Sequence, residues 1–116
     1  MSYKIHTKDA TAAIAEILKQ VKADKDKNNK KIGTWSVKII SKGEELLVHT
    51  TEQWEKKGCI ELSSNDSNDI VFVKFYYWDS FKKEDRSGDE GKYYLGRFTE
   101  LLLVHFEGLY SKIEIV

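Results

Sequence analysis

The chain has 116 residues and a mass of 13.5 kDa, enough for one domain that hides roughly two-thirds of its unfolded surface. Hydrophobic residues make up 41% and charged ones 33%, which supplies a core and excludes a disordered polyelectrolyte tail. Nineteen Lys plus Arg balance nineteen Asp plus Glu, so the basic excess that gives nucleic-acid-binding domains their nonspecific affinity is missing.

Cys59 is the only cysteine, which leaves no partner for an internal disulfide and no thiolate set for a structural zinc site. The first nine residues carry no apolar signal core, and no later run approaches the roughly 20 apolar residues of a membrane span. Proline is absent, which excludes proline-rich linkers and ligand segments. The expectation is a cytoplasmic protein without cofactor, membrane contact or nucleic-acid partner.

Residues 10–25 place Ala10, Ala13, Ile14, Ile17, Leu18 and Val21 at helical spacing, which predicts an amphipathic helix capped by Thr7 or Asp9. Tyr3 and Ile5 alternate with Lys4 ahead of it, as in a short edge strand. Residues 22–31 hold five lysines and two aspartates and read as a frayed helix end with a left-handed exit at Asn28 and Asn29. Trp35, Val37 and Ile39 then alternate with Ser36 and Lys38, and a reversal at residues 41–44 leads into residues 46–51, which predicts a hairpin. A second hairpin joins Gly58, Ile60 and Leu62 to residues 70–78 through the turn-rich residues 65–69.

Residues 79–91 are dense in charge and glycine and read as a solvated loop anchored by Phe81. Residues 92–107 set Tyr94, Phe98, Leu101, Leu102 and His105 on one helical face, with Leu103, Val104 and Phe106 widening the stripe, and Gly108 closes the helix. Leu109, Ser111, Ile113 and Ile115 alternate in a final strand. The order α-β-β-β-β-α-β predicts an α+β two-layer sandwich in a single domain, with about five mainly antiparallel strands and two helices on one face.

No catalytic or ligand motif rises above chance. The most informative segment is IVFVKFYYW, residues 70–78, because both of its faces are apolar. With Val71, Val73, Phe75 and Tyr77 against the helices, Phe72, Lys74, Tyr76 and Trp78 stand on the opposite, outer face. The expected pairing adds Lys38, Ile40, Leu47, His49, Cys59 and Glu61 to that face, and a one-residue slip would move any of them to the other side. Lys38, His49, Glu61, Phe72, Lys74, Tyr76 and Trp78 are therefore the candidate binding residues. Their mixture of rings and charges suits a protein partner or a homodimer, or a shallow small-molecule site. A salt bridge of Lys74 to Glu61 under aromatics that shield the sheet is the purely structural alternative.

His6, His49 and His105 show no metal-binding interval. His105 reads as a hydrogen-bonded core histidine, and His49 beside Glu61 as the better proton-transfer candidate. Cys59 has no evident feature to lower its pKa and reads as a structural thiol. Arg97 and Glu100 read as an exposed helical pair, and residues 65–69 as a turn and not a calcium loop. The leading expectation is a non-enzymatic binding protein that uses the outer aromatic face and the loop at 79–91. The alternative is a small enzyme or ligand-binding domain with a pocket between sheet and helices, built from His49 or His105 with Glu61 or Glu100.

Overall fold

The computed structural model describes residues 2–40, 43–50, 58–79, 82–84 and 90–115, without the side chains of Trp78, Asp79, residues 82–84 and Glu90. In chain order it forms β1 (Ser2–His6), α1 (Ala10–Ala23), β2 (Trp35–Ile39), β3 (Glu45–His49), β4 (Gly58–Ser64), β5 (Ile70–Asp79), β6 (Lys82–Glu84), α2 (Glu90–His105) and β7 (Lys112–Ile115). One antiparallel sheet runs β2-β3-β4-β5-β1-β7, with β6 paired to the far end of β5. The α+β class holds, with seven strands among the described residues in place of about five. Strand β1 is not at an edge, because β7 returns alongside it, and β6 lies within the stretch read as a loop. Phe81 and Trp54 fall outside the described residues.

Helix α1 starts where local chemistry demands. Asp9 caps α1 by accepting the Ala12 N–H at 3.0 Å, and Asn68, from the β4–β5 turn, accepts the Thr11 N–H at 2.8 Å. The same Asn68 donates to Asp9 at 2.8 Å, so a turn residue completes the cap of a helix 57 positions earlier. That turn is built by Asn65, whose side-chain oxygen accepts the N–H groups of Asp69 and Ile70, with Asn68 in the left-handed region at φ 57. Such self-bonding is how asparagine and aspartate clusters reverse a chain.

Both helices cover one face of the sheet. Ala13, Ile17 and Val21 of α1 and Tyr94, Phe98, Leu101 and Leu102 of α2 pack with Tyr3, Ile5, Leu47, Ile60, Val71, Val73, Phe75 and Tyr77 in one buried core. The expected stripe of α2 is confirmed for these residues, but Leu103 and Val104 are 58% and 56% exposed, since they fall on the helix's far side. Gly58 sits where β4 crosses Phe75 so closely that a Cβ would overlap that ring and the Tyr76 carbonyl. The radius of gyration, 13.3 Å, is what a single compact domain of this length has, about 13 Å.

Candidate interaction face

The face of the sheet turned away from the helices is fixed by register. Glu61 lies opposite Lys74, and Lys74 opposite Ser2. Ser63 lies opposite Phe72, Phe72 opposite Lys4, and Lys4 opposite Glu114. His6 pairs with Ile70 on one side and Lys112 on the other. Lys38 joins this face from β2, paired with Leu46. Since paired residues share a face, Lys4, His6, Lys38, Glu61, Phe72, Lys74, Lys112 and Glu114 form one continuous outer surface. Among the described residues no helix is long and apolar enough to cross a membrane.

Local electrostatics organise this surface. Lys74 Nζ stands 5.0 Å from the centre of the Tyr76 ring, within the range of a cation–π contact. His6 Nε2 lies 2.8 Å from Glu114 Oε1, and that hydrogen bond, with Lys112 and Lys4 nearby, holds the Glu114 carboxyl below its ordinary range. At the β3 and β4 end of the same face, Leu46, Val48 and Cys59 form a second buried cluster against which Ile40 and Tyr76 pack. Tyr76 is therefore half-buried against the protein itself, as in the structural alternative, while Phe72 and Lys74 lie half-buried beyond that cluster.

Of the residues expected on this face, Lys38, Glu61, Phe72, Lys74 and Tyr76 are there. Trp78, on β5, pairs with Lys83 of β6, and its side chain is outside the described residues. His49 is not there. It pairs with Trp35 on the helix side, its ring 4.9 Å from the Trp35 ring and nearly perpendicular to it. Its backbone N–H donates to the Tyr94 hydroxyl at 2.6 Å, and that hydroxyl donates to the Gly58 carbonyl at 3.0 Å. Burial, with the Arg97 charge adding to it, lowers the His49 pKa, and burial raises that of the Tyr94 phenol. Leu47 moves to the helix side with His49, and Leu46 and Val48 take the outer positions.

Of the imidazole and carboxylate pairs expected from the sequence, His49 and Glu61 are separated by the sheet, while the Glu100 and Arg97 charges both act on His49. Glu100 pairs with Arg97 at 3.2 Å on the surface. His105 meets Asp26 at 2.8 Å in a nearly solvent-free contact. Asp26 was not among the sequence candidates. Its other oxygen accepts the N–H groups of Asn28 and Lys30, so the lysine-rich 22–31 stretch is an ordered turn around a buried carboxylate and not a frayed end. Among the described residues no group of three His, Cys, Asp or Glu side chains could hold a metal ion.

A groove of about 470 Å³ runs between α1 and the α2–β7 connection, lined by Lys8, Asp9, Ala12, Glu16, Leu109 and Tyr110 among others. The amide N–H groups of the α1 N-terminus that face this region are already bonded, to Asn68 and Asp9, so they do not form an anion site. Compared with known proteins, the chain matches no protein family, no curated protein and no solved structure.

Proposed function

We propose that this is a non-enzymatic binding protein that holds a protein partner across the outer sheet face. One observation carries the reading: both helices cover the same side, leaving Phe72, flanked by Lys4 and Ser63 and next to Lys74, without a helical layer over it. An aromatic residue beside two lysines suits a partner that presents apolar side chains among carboxylates, the ring supplying contact area and the charges register and on-rate. Among the described residues this face carries Lys4, Lys38, Lys74 and Lys112 against Glu61 and Glu114, which supports an acidic partner. Residues 79–91, read from the sequence as a second contact element, lie mostly outside the described residues and are not needed for this reading.

A tagged chain expressed in its native cells tests it, with capture followed by quantitative mass spectrometry for the wild type and for Phe72→Ser, Lys74→Glu and Glu16→Ala. The expected result is a protein retained by the wild type and by Glu16→Ala, lost with Phe72→Ser and Lys74→Glu, and released by moderate salt. Retention that ignores both outer-face variants would overturn the reading.

The groove supports a second reading, as a site for a small organic ligand. Asp9 and Glu16 outnumber Lys8 in the lining, which also includes Tyr110, and this balance suits a ligand bearing a cationic amine. Capture or thermal stabilisation by such amines that disappears with Glu16→Ala and survives Phe72→Ser would favour it.

A further inference from the structure

We propose that β7 is a self-pairing edge: two copies of this chain join β7 to β7, antiparallel, about a two-fold axis through Ile113, so that the two sheets become one. This goes beyond the outer-face reading and is independent of it.

Among the described strands β7 ends the sheet and is bonded on one side only, to β1. Its other side offers backbone groups to any strand that can align with it, the usual liability of a sheet edge. Among the described residues no further strand pairs with that side, and Ile115 is 83% exposed. Ile113 and Ile115 pair with Ile5 and Tyr3 of the core, so they point to the helix side, while Lys112 and Glu114 point to the outer side.

Few registers are open to two such strands. Residues directly opposite must share a face, so the axis has to pass through a residue and not between two. An axis through Glu114 sets two carboxylates against each other, and an axis through Lys112 sets two ammonium groups against each other. An axis through Ile113 sets Lys112 opposite Glu114 of the second copy and Glu114 opposite Lys112 of the second copy. The outer side then carries an alternating square of four charges, and the helix side brings Ile113 against its own copy with Ile115 beside Ser111 of the second copy. Opposite charges and branched apolar side chains at facing positions each favour strand pairing. His6 occupies one oxygen of Glu114, which leaves the other to a lysine from across the interface.

The opposite end of the sheet lacks this complementarity. In β2 (Trp35–Ile39) the equivalent axis through Val37 sets Ser36 against Lys38, and the next one sets Lys38 against itself. Charge matching therefore selects β7 over β2. Because the axis stands perpendicular to the sheet, both helix layers fall on the same side, and the outer faces merge into one surface of twice the width.

Sedimentation equilibrium from micromolar to near-millimolar concentration tests the pairing, with charge variants as the discriminating arm. The wild type is expected to dimerise, and Glu114→Lys or Lys112→Glu alone to weaken association about tenfold or more, as two attractive facing pairs become repulsive. The double variant Lys112→Glu with Glu114→Lys restores the alternating square and is expected to restore the dimer, although it lacks the His6 contact just as the single Glu114→Lys does. Mild oxidation of Ile113→Cys is expected to give a covalent dimer and that of Glu114→Cys none, with the fully buried Cys59 silent. A wild type that stays monomeric throughout overturns the proposal. So does a dimer indifferent to Glu114→Lys, or a double variant that keeps the native circular dichroism spectrum without recovering association.

Discussion

His105 Nδ1 lies 2.8 Å from Asp26 Oδ2, and that contact ties the last turn of α2 to the loop that follows α1. The hydrogen bond from His105, with those from Lys30 and Asn28, holds the Asp26 carboxyl below its ordinary value of 3.8. A carboxylate whose folded pKa is depressed stabilises the fold fully above its unfolded pKa, and the contribution is lost as pH falls through the folded value. Thermal melts of wild type and Asp26→Asn are therefore expected to differ at neutral pH, with the wild type more stable. The gap closes as pH falls below about 4. A gap that persists unchanged in strong acid contradicts this role for Asp26.

The Tyr94 hydroxyl is a buried bridge between two strands, accepting from the His49 N–H and donating to the Gly58 carbonyl. Removing it leaves a buried donor and a buried acceptor without that partner, while the ring contacts with Trp35 and Phe75, at 5.6 and 5.0 Å, remain. Tyr94→Phe is expected to cost about 1 to 3 kcal/mol in denaturant unfolding. No change would show that water satisfies both groups.

The two-layer class was legible because α1 and α2 each carry a stripe at helical spacing and β5 carries alternation in a long run. The side on which His49 falls was not legible, and the reason is one residue of turn. A reversal of four residues, 41–44, pairs Ile40 with Glu45 and sends His49 to the outer face. The observed loop also takes in Ile40, so that Ile39 pairs with Glu45 and Trp35 with His49, with Ile40 bonded across to Glu44 and Gly43 at φ 75. Leu46, Leu47 and Val48 are apolar at successive positions, so the pattern of β3 fits either register equally. Strand β6 had no signal at all, because Lys82, Lys83 and Glu84 offer no apolar alternation. Asp26 was hidden in a lysine run that solvation alone could explain, though Asn28 and Asn29 just after it were the mark of a turn that a carboxylate can organise.

Leu102 is fully buried and borders a small apolar void with Ile5, Ala13, Ile17 and Val71. Truncation enlarges a gap that the rigid sheet beneath cannot fill, so Leu102→Ala is expected to destabilise by about 2 to 5 kcal/mol. A thermal melt checks this, and an unchanged melting temperature would mean that α2 settles onto β1 and β5 without loss.

The outer face is the centre of the account, and a photo-crosslinking residue placed there addresses it most directly. The benzophenone analogue of phenylalanine at position 72 is expected, on irradiation in the native cells, to give a covalent adduct with one acidic protein. The same probe at Glu16, in the groove between α1 and the α2–β7 connection, is expected to give none. Adducts at position 72 no more abundant or specific than those at position 16 would contradict the assignment of the outer sheet face as the binding surface.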